Sequence, residues 1–194
     1  MKNTFLTLAG AAAVLVVAQT SQAIPVSGNI GFAGSAQLNS GAVGAATGVV
    51  NWFGETVTAN STSGSFLPYF GSAGGQPVAI ASPWSFVSGP VAAFWTASAG
   101  GETFVFNLVS SAPVVSPAGF LNVVLSGTVS GTGPVTFDTT AFNGSFSVQD
   151  PPANGIATFT ESLSFHSVPD GGTTVMLLGA ALSGMALIKR KFMA

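Results

Sequence analysis

Hydrophobic and polar positions alternate through the middle of the chain. Phe104, Phe106 and Leu108 are separated by Val105, Asn107 and Val109, while Phe159, Leu163 and Phe165 share one side of a segment whose other side carries Thr158, Thr160, Ser162, Ser164 and His166. Successive side chains of an extended chain point to opposite faces, so a period of two with one apolar set predicts half-buried antiparallel strands. The same reading predicts strands at 28–36, 48–58, 78–80, 84–87, 91–97, 120–130, 135–137 and 145–149, separated by turn-forming runs such as Gly74-Gly75-Gln76-Pro77, Ser88-Gly89-Pro90 and Gly131-Thr132-Gly133-Pro134. No stretch between residues 24 and 167 combines an uninterrupted helical stripe with good caps, and the best helical candidate, 41–46, is weakened by Gly41 and Gly44. Eight to ten short strands with frequent turns predict an all-β fold, a single antiparallel β-sandwich-like domain over residues 24–167. A domain near 150 residues buries roughly 70% of its unfolded surface, enough for one sizeable core.

The two ends of the chain follow a different pattern. Lys2 precedes an apolar run from Phe5 to Ala18, which gives way to Gln19, Thr20, Ser21 and Gln22. A positive start, an apolar stretch of this length and small residues at Ser21 and Ala23 are the layout of a secretory signal peptide over residues 1–23, cut between Ala23 and Ile24; Ala18-Gln19-Thr20 offers a second site. Residues 173–188 form another apolar stretch, followed at once by Lys189, Arg190 and Lys191. Sixteen residues make a helix of ~24 Å, short for a hydrocarbon core of about 30 Å but feasible when basic residues reach up to the headgroups. This predicts a C-terminal transmembrane helix whose basic cluster stays cytoplasmic, leaving residues 24–172 on the far side of the membrane. Gly179, Ala180, Ser183 and Gly184 place small residues on one face of that helix, suited to close packing on another.

Just before the apolar stretch stands Val168-Pro169-Asp170-Gly171-Gly172, whose proline and glycines break helix and strand alike. Short motif, apolar helix and basic end come in the order of a sorting signal. Residues 168–191 resemble a PEP-CTERM-type sorting domain in its VPDSG/VPDGG variant, with the motif at 168–172, the helix at 173–188 and the basic end at 189–191. The resemblance implies a bacterial surface or extracellular-matrix protein, exported across the inner membrane through the Sec translocon, held by its C-terminal helix and processed by an exosortase-like membrane protease-transpeptidase. It also raises exopolysaccharide as a candidate partner. Asp170 stands where the commoner motif has Glu, which leaves open the exosortase subtype that reads it.

Charge narrows the remaining choices. All four basic residues lie at the ends, so residues 3–188 contain no Lys or Arg. A chain without a basic field does not bind nucleic acid through its phosphates. With no cysteine there is no disulfide and no thiolate metal site. The exported region carries Glu55, Glu102, Asp138, Asp150 and Glu161 without a cationic partner, so burial and backbone hydrogen bonds must hold it together. Paired carboxylates such as Glu55 with Glu102 or Asp138 with Asp150 could serve a glycosidase, but solvated loop or strand-edge acids are the plainer reading. His166 is the sole histidine, and no G-x-S-x-G elbow or phosphate-binding glycine loop accompanies it. We therefore expect a non-enzymatic protein with no catalytic residues, metal or cofactor. The alternative is a carbohydrate-binding or adhesive module in which Trp52 or Trp95 offers an exposed indole, since in Trp52-Phe53 and Phe94-Trp95 strand neighbours should face opposite ways. A secreted glycoside hydrolase comes third.

Overall fold

A computed structural model describes residues 24–114, 117, 119–149, 158–168, 178, 179 and 182. Ten strands form: β1 (Ile24–Pro25), β2 (Asn29–Leu38), β3 (Gly48–Val57), β4 (Val78–Ile80), β5 (Trp84–Ser85), β6 (Val91–Ala99), β7 (Glu102–Val114), β8 (Phe120–Thr132), β9 (Phe137–Gln149) and β10 (Thr158–Ser167). A 3-10 turn at Val43–Ala45 falls inside the expected helical candidate, and a short helix, α1 (Leu67–Phe70), has Pro68 in its first turn and Gly71 as its C-terminal cap. The alternation seen in the sequence is the alternation of burial: along β7 from Glu102 to Leu108 and along β8 from Leu121 to Val129, buried positions recur every second residue.

The strands make one sheet in the order β4-β6-β7-β8-β9-β10-β2-β3-β5, antiparallel throughout, with β1 added parallel to β9. In place of the expected two-sheet sandwich, this single sheet curls into a half-barrel with most of its described aromatic residues buried inside. Phe32 of β2 meets Trp95 of β6 edge-on at 5.1 Å, and Trp84 of β5 meets Phe94 of β6 at 5.0 Å, although these strands lie far apart along the hydrogen-bonded order. The rims touch where Thr56 pairs with Pro77 and Val57 N–H donates to Gln76 O at 2.9 Å.

The curl has identifiable causes. Strands of up to 13 residues accumulate the right-handed twist of extended chains, and bulges sharpen it. Register shifts occur at Ala33/Ser35, Gln37/Leu38, Val91/Trp95, Leu108/Ser110 and Val129/Gly131. An inward-facing glycine adds room: Gly144 lies opposite Phe165, and a Cβ there would stand 2.4 Å from that ring, so the phenyl lies flat over the glycine. The resulting interior is one cluster dominated by Phe, with Phe32, Phe66, Phe104, Phe106, Phe146 and Phe165 buried together with Trp84 and Trp95.

Candidate functional site

Of the two tryptophans expected as a sugar platform, Trp95 is closed off from solvent and Trp52 is only partly covered. Trp95 is fully buried, stacked on Phe106 at 5.9 Å and against Phe165 at 5.5 Å. Trp52 is half-buried; its Nε1–H donates to Ala81 O at 2.9 Å, and its ring stacks on Trp84 and meets Phe146 edge-on. The strand-neighbour rule holds for the first pair, where Phe53 is the exposed ring, and fails for the second, where Phe94 is buried as well. The register shift between Val91 and Trp95, with Ala93 at φ 48°, turns both rings of that second pair into the interior.

The acidic residues also depart from expectation, because Glu55, Glu102 and Glu161 are buried rather than solvated. Each has the parity of an inward-facing set: Glu161 that of Leu163 and Phe165, Glu102 that of Phe104 and Phe106, Glu55 that of Val57. That parity was visible in the sequence and is the signal that could have placed them. Among the described residues the pair brought together is Glu55 with Glu161, not Glu55 with Glu102. Gly54, at φ 69°, takes a conformation natural to glycine in the bulge that faces Gly34 and aims the Glu55 carboxyl over it. Gly34 is in turn the direct partner of Glu161 across the β2–β10 ladder. Glu55 Oε1 accepts from Ser35 N–H at 3.1 Å, while Glu55 Oε2 and both oxygens of Glu161 meet no N–H or hydroxyl donor. Burial pushes the Glu161 carboxyl from 4.5 up to about 11, and the hydrogen bond and charge of Glu55 push the same way. At neutral pH the pair therefore holds a proton.

Glu102 occupies a separate place, at the start of β7, where Oε2 accepts from Val135 N–H at 3.2 Å. Burial first, then the charge and hydrogen bond of Glu102, raise the Tyr69 hydroxyl above its usual 10.0. Asp138 is exposed on β9, and Asp150 lies outside the described residues. Among the described residues no group of three His, Cys, Asp or Glu side chains could hold a metal ion.

The sorting motif begins where β10 ends. Ser167 N–H donates to Gly28 O at 3.0 Å, Gly28 N–H donates to Ser167 Oγ at 3.1 Å, and Val168 N–H donates to Ala141 O at 3.0 Å. Ile24, the expected first mature residue, pairs with Phe137 further along β9, and Val26 N–H donates to Thr140 Oγ1 at 2.9 Å. Residues 24–26 and 167–168 thus both lie against one strand. Ala23, Pro169, Asp170, Gly171, Gly172, Lys189, Arg190 and Lys191 fall outside the described residues. Residues 167–192 match the family model of the VPDSG-CTERM motif. The chain carries a VPDSG-CTERM sorting signal. No curated protein and no solved structure matches the chain. The VPDSG-CTERM match implies exosortase-type processing in general, and with it export and association with the membrane or surface. Of its apolar segment, Leu178, Gly179 and Leu182 are described; all three are helical, and the two leucines are 58% and 54% exposed. No helix among the described residues is long and apolar enough to cross a membrane.

The outer face of the sheet carries a shallow groove of about 540 Å3 bordered by Ser110, Ser126, Asn143, Ser145 and His166. Its hydroxyls pair across strands, Ser110 with Ser126 at 2.8 Å and Ser145 with Ser164 at 3.0 Å. Asn143 stands directly opposite His166 in the β9–β10 ladder. Such a wall presents neutral donors and acceptors and no fixed positive charge.

Proposed function

We propose that this is a non-enzymatic bacterial surface or extracellular-matrix protein, exported by its signal peptide, held in the inner membrane by residues 173–188 and released or transferred by an exosortase-like protease-transpeptidase. The observation that carries the reading is the VPDSG-CTERM match starting at the last residue of β10, so that the folded domain ends where the sorting signal begins. The exposed leucines of the helical segment suit contact with lipid. The burial of Glu55 and Glu161 favours a structural use of the carboxyls over glycoside hydrolysis, which needs both groups at an open cleft. The test is expression of the chain in its native host with Pro169→Ala and Asp170→Ala variants. Processing by a motif-reading enzyme predicts accumulation of the uncut form in both variants, and unchanged processing in both refutes it.

A second reading, a carbohydrate-binding module on the same anchor, draws on the groove rather than on the tryptophans. Ser126, Asn143 and His166 would then hydrogen-bond a neutral glycan. Glycan-array binding that is lost on Asn143→Ala would favour it.

A further inference from the structure

The least expected feature of the interior is a pair of carboxyls in a region, residues 3–188, without Lys or Arg. We propose that Glu55 and Glu161 form a one-proton latch that ties β3 to β10 across β2, holds in acid and at neutral pH, and weakens as the medium becomes alkaline.

The geometry supports this at three points. Gly34 lies between the two, with the Glu55 carboxyl where its side chain would be and Glu161 directly opposite in the ladder, so the carboxyls meet over the missing Cβ. Three of the four oxygens lack any N–H or hydroxyl donor, and a proton shared between the two groups gives one oxygen of each a partner. Two carboxylates held side by side away from water cannot both ionise without a counter-charge. None is at hand. The groups adjoining Glu161 are Gly34 on β2, Val148 on β9 and Glu55 on β3. Glu102 sits apart with Val135 and Tyr69, Asp138 and His166 are exposed, and Lys and Arg are absent from residues 3–188.

The sign of the effect is opposite to ordinary acid denaturation. Glu161 has its proton in the folded state up to about pH 11 and loses it near 4.5 when unfolded. Its contribution is therefore complete below 4.5 and declines as pH rises between those limits. Each folded molecule retains one proton that the unfolded chain releases, so the unfolding constant rises about tenfold per pH unit from this source. For a protein exported into an uncontrolled medium, the latch gives tolerance of acid without any salt bridge.

Two measurements on the full chain test the proposal. Infrared spectra of the folded protein should show a protonated-carboxyl stretch persisting at pH 7–8, which Glu161→Gln removes and Glu102→Gln leaves. Urea unfolding between pH 6 and pH 8 should show the tenfold-per-unit rise, flattened by Glu161→Gln. Absence of the protonated-carboxyl band in the wild-type protein at pH 7 overturns the latch whether or not any variant folds. So does a pH slope that Glu161→Gln leaves unchanged.

Discussion

Replacing the two stacked indoles that help close the half-barrel should separate a hydrogen bond that is made from one that is missing. Trp84 is the more deeply buried, at 3% exposure, and touches Trp52, Phe86, Phe94 and Phe146 with ring centroids 5.0–6.2 Å away. Its Nε1–H nevertheless has no acceptor, whereas Trp52 donates to Ala81 O. Truncating a buried Trp to Ala costs about 3–5 kcal/mol. Relief of the unsatisfied N–H returns part of this, since a buried donor without a partner is worth about 1–3 kcal/mol of penalty. Trp84→Ala should therefore cost about 2 kcal/mol. Trp84→Phe, which keeps an aromatic ring and removes the orphan donor, should be nearly neutral. Trp52→Phe should cost about 1–2 kcal/mol, because it breaks a satisfied bond and leaves the Ala81 carbonyl without it. The assay is urea unfolding followed by far-ultraviolet circular dichroism, with Val87→Ala, 72% exposed, as the reference substitution. The reasoning is refuted if Trp84→Phe is more destabilising than Trp52→Phe, or if Trp84→Ala behaves like Val87→Ala.

Other outcomes follow from the same packing. Gly144→Ala should destabilise by about 1–3 kcal/mol through overpacking, because its Cβ would stand 2.4 Å from the Phe165 ring; the same substitution at Gly41, which has nothing within 4 Å of the new atom, is the control. Gly34→Ala should force the Glu55 carboxyl from its seat and diminish the pH dependence of unfolding, read from midpoints at pH 6 and pH 8. Tyr69 is the only tyrosine, so an absorbance titration reports it alone. Its midpoint should lie above 10.0 and move down in Glu102→Gln, and stability should fall as pH rises past the ordinary tyrosine range, because the folded state retains that proton longer.

Much of the strand plan was legible in the sequence because alternation reports which side of an extended chain is covered. Nine of the ten strands overlap an expected segment. The exception is β1, two residues held by pairing with β9. The expected strands at 135–137 and 145–149 proved to be one, β9. The link between them, Asp138 to Gly144, has little apolar alternation of its own, and hydrogen bonds to β8 and β10 carry the strand through it. Alternation says nothing about which distant strands meet, so a sheet that curls onto itself reads the same as two sheets facing each other. The burial of Trp95 has the same origin: whether the second face of a strand is bare depends on what the curl brings over it. The carboxyls were misread because glutamate is usually solvated, and that expectation outweighed their parity with Val57, Phe104 and Leu163. The sorting signal was legible because it is a linear motif with a fixed order of parts, readable without any fold.

The most direct test of the sorting assignment is the intact mass of the mature protein isolated from its native host. Delivery and processing as proposed predict a chain that begins at Ile24 and has lost the apolar segment and the Lys189-Arg190-Lys191 end, with cleavage in or near residues 168–172. A soluble product with the mass of all 194 residues would contradict it.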